Sequence, residues 1–197
     1  RSTIVGTRND LKNGEDNVVI GDFHNFDGGK HNVVLGSMAA EEQDVTKSFT
    51  NSSGSSTYTY TVKELVATRR NTANVENAVM LGYNTDVTRN GGVALGSESI
   101  ASVDKGIAGY DPTTKAASTD GSPTWKSTAA AISVGDSTGT TVLTRQITNV
   151  AAGSEDTDAV NVAQLKRITA DSTSNINNQL TQVNNRIDAV DGRVKRV

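Results

Sequence analysis

The stretch "NVVIGDFHNFDGGKHNVVLG", residues 17–36, decides how this chain is read, because it holds one short pattern twice. "NVVIG" (17–21) and "NVVLG" (32–36) recur in looser form as "STIVG" (2–6), "AVMLG" (78–82) and "GVALG" (92–96). Their glycines fall at 6, 21, 36, 82 and 96, with steps of 15, 15, 46 and 14. The period is therefore about 15 residues, interrupted once by an insertion of roughly 31 residues.

A unit of this length suits one turn of a flat β-solenoid, with two strands of about five residues and two tight bends. Counting back from each glycine, the first position is Val5, Ile20, Leu35, Leu81 and Leu95, and the third is Thr3, Val18, Val33, Val79 and Val93. Strand side chains alternate, so these two positions share a face. The second position holds Ile4, Val19, Val34, Met80 and Ala94, apolar where a surface strand would be polar. Both faces therefore require cover. A thin two-sided roll can cover its second face only with other chains.

The insertion, roughly 40–76, differs in character. "NSSGSS" (51–56) reads as a flexible tip or turn, "TYTYTV" (57–62) as a half-exposed strand, and "KELVATRR" (63–70) concentrates charge. A projecting loop in a repeat array is a candidate binding surface, here around Glu64, Arg69 and Arg70. Farther on, both prolines and the one tryptophan lie in "GIAGYDPTTKAASTDGSPTWKSTAAAISVG" (106–135), which ends in the same apolar-before-glycine pattern. Trp125 is expected at the start of a strand, as a core residue or stacked near the axis of a symmetric assembly.

The C-terminal segment changes period. From Ile176 the apolar steps run 4, 3, 4, 3, 4, 3, with Leu180, Ile187 and Val194 at heptad position a and Ile176, Val183, Val190 and Val197 at d. β-Branched residues at d disfavour a parallel dimer and shift the choice towards trimers or larger assemblies. Leu165, Ile168, Ser172 and Ile176 form an eleven-residue step that unwinds the supercoil before the heptads begin. The roll and the coil thus independently require more than one chain.

Composition narrows the function. Eight aromatics in 197 residues leave Val, Ile, Leu and Ala to build the core. A formal charge of −3 supplies no basic stripe for nucleic acid. Without cysteine there is no disulfide framework or thiolate metal site. No apolar run reaches membrane-spanning length, and no signal peptide is visible. His24 and His31 near Asp22 and Asp27 lack ligand spacing and read as exposed turn residues. No nucleophile or phosphate-loop motif occurs. No catalytic, metal or cofactor-binding residue is therefore assigned.

"DAVNVAQLK" (158–166), preceded by "RQITNVAAGSEDT" (145–157), resembles the neck of trimeric autotransporter adhesins, the YadA-like family of Gram-negative surface proteins. The "NVVLG"-type units resemble YadA-like head repeats, and "GYDP", "WKST" and "AISVG" resemble the tryptophan-ring module of the same family. The resemblance implies a mainly β chain. A trimeric left-handed parallel β-roll head (1–103, with its insertion) is followed by a tryptophan-ring-like module (104–143) and a neck (144–166). A parallel trimeric coiled-coil stalk begins at 167–197. It implies that Ile147, Val150, Val160, Val162 and Leu165 pack within the neck with Trp125 at the trimer, and that Asn149 and Asn161 satisfy exposed backbone there. It further implies a homotrimer on the bacterial surface, held in the outer membrane by a C-terminal barrel beyond residue 197, with a signal peptide before residue 1. Expected partners are extracellular-matrix proteins (collagen, fibronectin or laminin), host cells, and other bacteria through self-association. The competing readings are a trimeric β-solenoid enzyme acting on polysaccharide, which would show more exposed aromatics, and a phage tailspike or fibre segment.

Overall fold

The computed structural model describes residues 1–68 and 74–196. It divides into two units, Arg1–Arg145 and Gln146–Val197. The first is β-structure throughout and the second carries one long helix. In chain order the strands are β1 (Thr3–Val5), β2 (Asp10–Lys12), β3 (Val18–Ile20), β4 (Asn25–Asp27), β5 (Val33–Leu35), β6 (Ala40–Thr50), β7 (Thr57–Ala67), β8 (Val79–Leu81), β9 (Asp86–Val87), β10 (Val93–Leu95), β11 (Ile100–Ala101), β12 (Tyr110–Asp111), β13 (Ala116–Ala117) and β14 (Ile132–Ser133), followed by α1 (Val162–Val194).

One row of the roll is a parallel sheet in the order β1-β3-β5-β8-β10-β14. Its register follows the repeat, with Val19 beside Ile4 and Val34, and Met80 beside Val34 and Ala94. The insertion leaves after β5, and β8 takes up the pairing as though it were absent. A second row pairs β2 with β4 and β9 with β11, also in parallel. The strands are shorter than the expected five residues, two or three each.

The sequence pattern left open which of the two apolar faces turns inward. The second position of each unit points inward: Val19, Val34, Met80 and Ala94 are buried and pack with Phe26, Val87 and Ala101 of the second row. A three-residue strand in so thin a roll sends only its middle side chain inward, and alternation turns the other two out. Val5, Val18, Ile20, Val33, Leu35 and Leu95 consequently form exposed apolar columns. Ile4, on edge strand β1, is 45% exposed although it holds an inward position.

Polar ladders run beside this core. Asn17 and Asn32, the first residues of their units, are buried. The Asn32 amide N–H donates to Asn17 Oδ1 (3.0 Å) and that of Ala78 to Asn32 Oδ1 (2.8 Å). Their own Nδ2 groups donate to the carbonyls of Gly29 (3.0 Å) and Val75 (2.9 Å). His24, expected on the surface, is also buried, with its Nε2 2.6 Å from the Gly36 carbonyl. Left-handed residues mark the bends at fixed places. Arg8, Phe23, Asn84 and Glu98 each follow a repeat glycine by two positions. Asp16, His31 and Asn77 each precede the next repeat glycine by five.

The repeat glycines stack in a column. A Cβ on Gly21 (φ +146°) would stand 2.2 Å from the Gly36 carbonyl oxygen, and one on Gly36 (φ +130°) 2.1 Å from that of Gly82. Beyond β10 the chain makes the small antiparallel β12–β13 pair and returns through β14 to the main sheet. Arg145 closes this end: its guanidinium donates to the Ser97 carbonyl (2.6 Å), the Ser99 hydroxyl (3.0 Å) and the Val134 carbonyl.

The insertion is an antiparallel hairpin. β6 and β7 pair over eleven positions, from Ala40↔Ala67 to Thr50↔Thr57. At about 3.4 Å per residue the ribbon is roughly 37 Å long. At its tip, Asn51 Oδ1 accepts the amides of Ser55 (3.0 Å) and Ser56 (3.3 Å).

In the second unit, α1 is continuous over 33 residues, has no buried residue, and runs uninterrupted through the eleven-residue step. Among the described residues no helix is long and apolar enough to cross a membrane.

The glycine column generates a direct test. Gly36→Ala should destabilise the roll by about 3 kcal/mol or more, combining a backbone clash with a left-handed alanine. Gly192→Ala, whose Cβ meets nothing within 4 Å, should stabilise α1 by about 1 kcal/mol. Chemical denaturation of each variant, followed by circular dichroism, reads both.

Candidate functional site

The candidate residues fall mainly in α1 and the segment leading into it, with Glu64 on the hairpin. In β6 and β7 alternation separates two faces. One carries Thr46, Ser48, Thr50, Thr57, Thr59 and Thr61, with the Thr50 and Thr57 hydroxyls 3.0 Å apart. The same face holds Lys63, paired with Asp44 at 3.0 Å and Glu42 at 3.9 Å. The other face carries Val45, Val62, Phe49, Tyr58 and Tyr60, the three aromatics all more than half exposed. Cross-strand pairs of this kind hold a ribbon together.

Glu64 lies on that aromatic face, half-buried and ion-paired to Lys47. The hydrogen bond to Glu64 raises the Lys47 ammonium above its ordinary value. Glu64 therefore offers a neutralised pair rather than a free carboxylate. Arg69 and Arg70 lie outside the described residues. At the hairpin base Arg8 donates to the Leu65 carbonyl (2.9 Å) while its guanidinium lies 5.6 Å from the Phe23 ring centre.

Trp125 sits in a turn rather than at the start of a strand, and at 36% exposure it is not a core residue of the single chain. The turn holds it through backbone: its N–H donates to Ser122 O (3.0 Å) and its carbonyl accepts from Gly109 (2.7 Å). The turn chemistry of "DGSP" dominates the local conformation here.

Before α1, polar side chains set the geometry. Asn161 is the helix N-cap, its Oδ1 accepting from the Gln164 amide (3.0 Å) and its Nδ2 donating to the Val150 carbonyl (3.2 Å). Gln164 Oε1 accepts from the amides of Asn161 (3.2 Å) and Gly153 (3.1 Å), and its Nε2 donates to Gly153 O (3.0 Å). Asn161 thus fills its expected role. Asn149 adopts a left-handed backbone (φ 60°) and its side chain donates to the Thr148 hydroxyl instead. Asp158 Oδ2 accepts from the amides of Ser154 (2.9 Å) and Glu155 (3.1 Å), and these bonds hold its carboxyl below the ordinary value.

Ile147, Val160, Val162 and Leu165 are exposed and Val150 is half-buried within the chain. The coil residues Ile176, Leu180, Val183, Ile187, Val190 and Val194 are likewise exposed; Val197 lies outside the described residues. Among the described residues no group of three or more His, Asp or Glu side chains converges to hold a metal.

Sequence reasoning passed over Gln164, Asp158 and the aromatics Phe49, Tyr58 and Tyr60. The spacing Asn161-x-x-Gln164 was the available signal for the first, a capping-box pattern ahead of a periodic run. "AEEQDVTKSFT" hides a strand because most of its positions are charged or polar and exposed.

The Asp158 carboxyl is lower in the folded chain than unfolded, so its bonds stabilise fully above the ordinary carboxylate range and are lost as pH falls through the folded value. The 154–158 turn should therefore loosen below about pH 4. Amide-exchange protection at Ser154 and Glu155, taken against the unstructured rate at the same pH, measures it: lost in acid for the natural chain, and already absent at neutral pH in Asp158→Ala. Asn161→Ala should cost about 1 kcal/mol of helix stability.

Residues 146–188 match the coiled stalk of trimeric autotransporter adhesins. The autotransporter adhesin BadA of Bartonella henselae is 59% identical over 76 residues, covering 39% of this chain and 2% of that protein. The autotransporter adhesin EhaG of Escherichia coli O157:H7 is 38% identical over 117 residues, covering 57% of this chain and 7% of that protein. The chain spans less than a tenth of the length of these curated relatives. The two matched proteins are adhesins, and the stalk match falls on α1 and the polar turn that starts it. Over the matched residues the chain is similar to trimeric autotransporter adhesins, and these matches support a fragment of a YadA-like adhesin.

Proposed function

We propose that this chain is a structural and binding segment of a homotrimeric surface adhesin, with no enzymatic role. The observation that carries the reading is that two separate parts of the chain leave apolar surface uncovered in the same regular way. On the roll it is the outward column from Val5 to Leu95; on α1 it is the 3/4 seam from Ile176 to Val194. Isolated apolar side chains on a surface need no explanation, but continuous columns mark association sites. Three copies would cover both.

In this reading residues 1–103 form a left-handed roll head and 104–143 a tryptophan-ring-like module. Residues 144–166 form the neck, passing each chain to its neighbour, and a parallel trimeric coiled-coil stalk starts at 167–197. Trp125, Ile147, Val150, Val160, Val162 and Leu165 pack between copies. The assembly stands on the bacterial surface, anchored in the outer membrane by a barrel outside this sequence. Its ligands are matrix proteins such as collagen, fibronectin or laminin, or host cell surfaces, and heads of neighbouring bacteria provide self-association. Three equivalent weak sites engaging together gain avidity without new contacts.

The hairpin is the contact surface this reading favours, through Phe49, Tyr58 and Tyr60 beside the Lys47–Glu64 pair, with Arg69 and Arg70 adjoining in sequence. Aromatic residues are the usual anchors of a protein interface.

Light scattering after size exclusion should give three times the 20.6 kDa chain mass; a folded monomer would overturn the trimer. On immobilised collagen, fibronectin and laminin, replacing Phe49, Tyr58 and Tyr60 together by Ala should reduce retention at least tenfold, the equivalent of about 1.4 kcal/mol. An unchanged trimer mass confirms that the loss is one of contact. Undiminished retention would remove the hairpin from the binding surface.

A further inference from the structure

We infer that an ion pair between copies, from Arg186 of one chain to the partner's Asp191, directs the helices of the coil to run parallel. This rests on the trimeric reading above and adds a residue-level reason for the direction of the chains.

The exposed groove on α1 is lined by Val183, Ile187, Val190 and Val194, with Arg186 and Asp191 on its rims. Arg186 immediately precedes the a residue Ile187 and so occupies position g. Asp191 immediately follows the d residue Val190 and occupies e. In a parallel coil, g of one helix faces e of its neighbour five residues farther on. Five residues beyond 186 is 191, so each interface of a parallel trimer brings one guanidinium to one carboxylate.

An antiparallel arrangement sets g against g and e against e. The g positions near this end are Arg186 and Arg193, and the e positions are Asn184 and Asp191. Arginine would then meet arginine, and aspartate would meet aspartate or a neutral amide. The pattern thus rewards one direction and penalises the other. Lys195 Nζ, 2.6 Å from Asp191 Oδ2 in the same helix, holds the carboxylate at the groove rim. Lys195 itself follows Val194 at position b, on the side away from the seam. Arg196 at c and Asp188 at b also point away, leaving Arg186 and Arg193 as the cations that border the groove in this stretch.

The test uses the full 197-residue chain carrying Lys195→Gln throughout, which removes the intrahelical partner of Asp191. Arg186→Glu and Asp191→Arg are made singly and together. Each single change should lower the midpoint of helix melting by about 4–8 °C, and the double change should recover most of the loss. Mixing the two single variants should produce mixed trimers, seen by native mass spectrometry, in preference to either pure trimer. Such preference requires that the contact lie between chains. Trimers whose losses simply add, with random mixing, would overturn the ion pair and leave the trimer standing. A monomeric parent chain would overturn both.

Discussion

The roll depends on the contact between successive glycines. From Gly6 to Gly36 the carbonyl oxygen of the next repeat glycine occupies the space a side chain would need, about 2 Å from where that Cβ would be. Such closeness lets the backbones of adjacent turns approach to the normal strand spacing at the bend as well as along the strands. It also fixes the register, because a slip of one residue would bring a side chain into the column. The inward alignment of Val19, Val34, Met80 and Ala94 follows from that register. The 46-residue step between Gly36 and Gly82 does not disturb it: β5 pairs β8 in the same register, although the second row is divided there into the β2–β4 and β9–β11 pairs.

A roll this thin encloses one residue from each row per turn, so it buries little apolar area per residue. Each fully buried aliphatic contributes about 1.5–3 kcal/mol, and few residues are available to contribute. The outward valines and leucines are what the same strands have left to bury. α1 shows the same condition in another geometry, with a complete seam and no buried residue. In both units secondary structure is locally well specified while the driving force for association remains unspent. Hydrogen bonding along the Asn17–Asn32 ladder and the strand pairs shapes the first unit; in the proposed trimer, burial between copies would add to its stability.

Periodicity made the repeating parts legible. The 15-residue spacing located every strand of the main sheet up to β10, and the 3/4 steps located α1. The direction of the faces was not legible, because a run such as "VVI" is apolar at all three positions and only strand length decides which points in. His24 illustrates a second limit: its burial follows from stacking in the second row near Phe26, 6.0 Å away in ring centres, not from anything local in "GDFHN". The hairpin was half legible. Tyr58 and Tyr60 alternate visibly, while the partner strand alternates only in charge and polarity. Within the candidate site, Asn161 could be read from its position ahead of the helix. Glu64 could be read as charged, but its pairing with Lys47 depended on a register that sequence did not contain.

The start of α1 shows how local polar order and association are kept apart. A helix leaves its first four amide groups without partners, and burying an apolar patch over them would be costly. Here Asn161 and Gln164 satisfy one another's backbone and reach back to Val150 and Gly153, while Asp158 fixes the turn before them. These bonds define where the helix begins without engaging a single large apolar side chain. Ile147, Val160, Val162 and Leu165 are therefore left exposed by a segment whose backbone is already ordered. A preorganised segment loses less conformational freedom on association than a loose one. In the proposed trimer the polar residues thus prepare the surface that the apolar residues would use, and a substitution among them would weaken that assembly through shape rather than through any lost contact between copies.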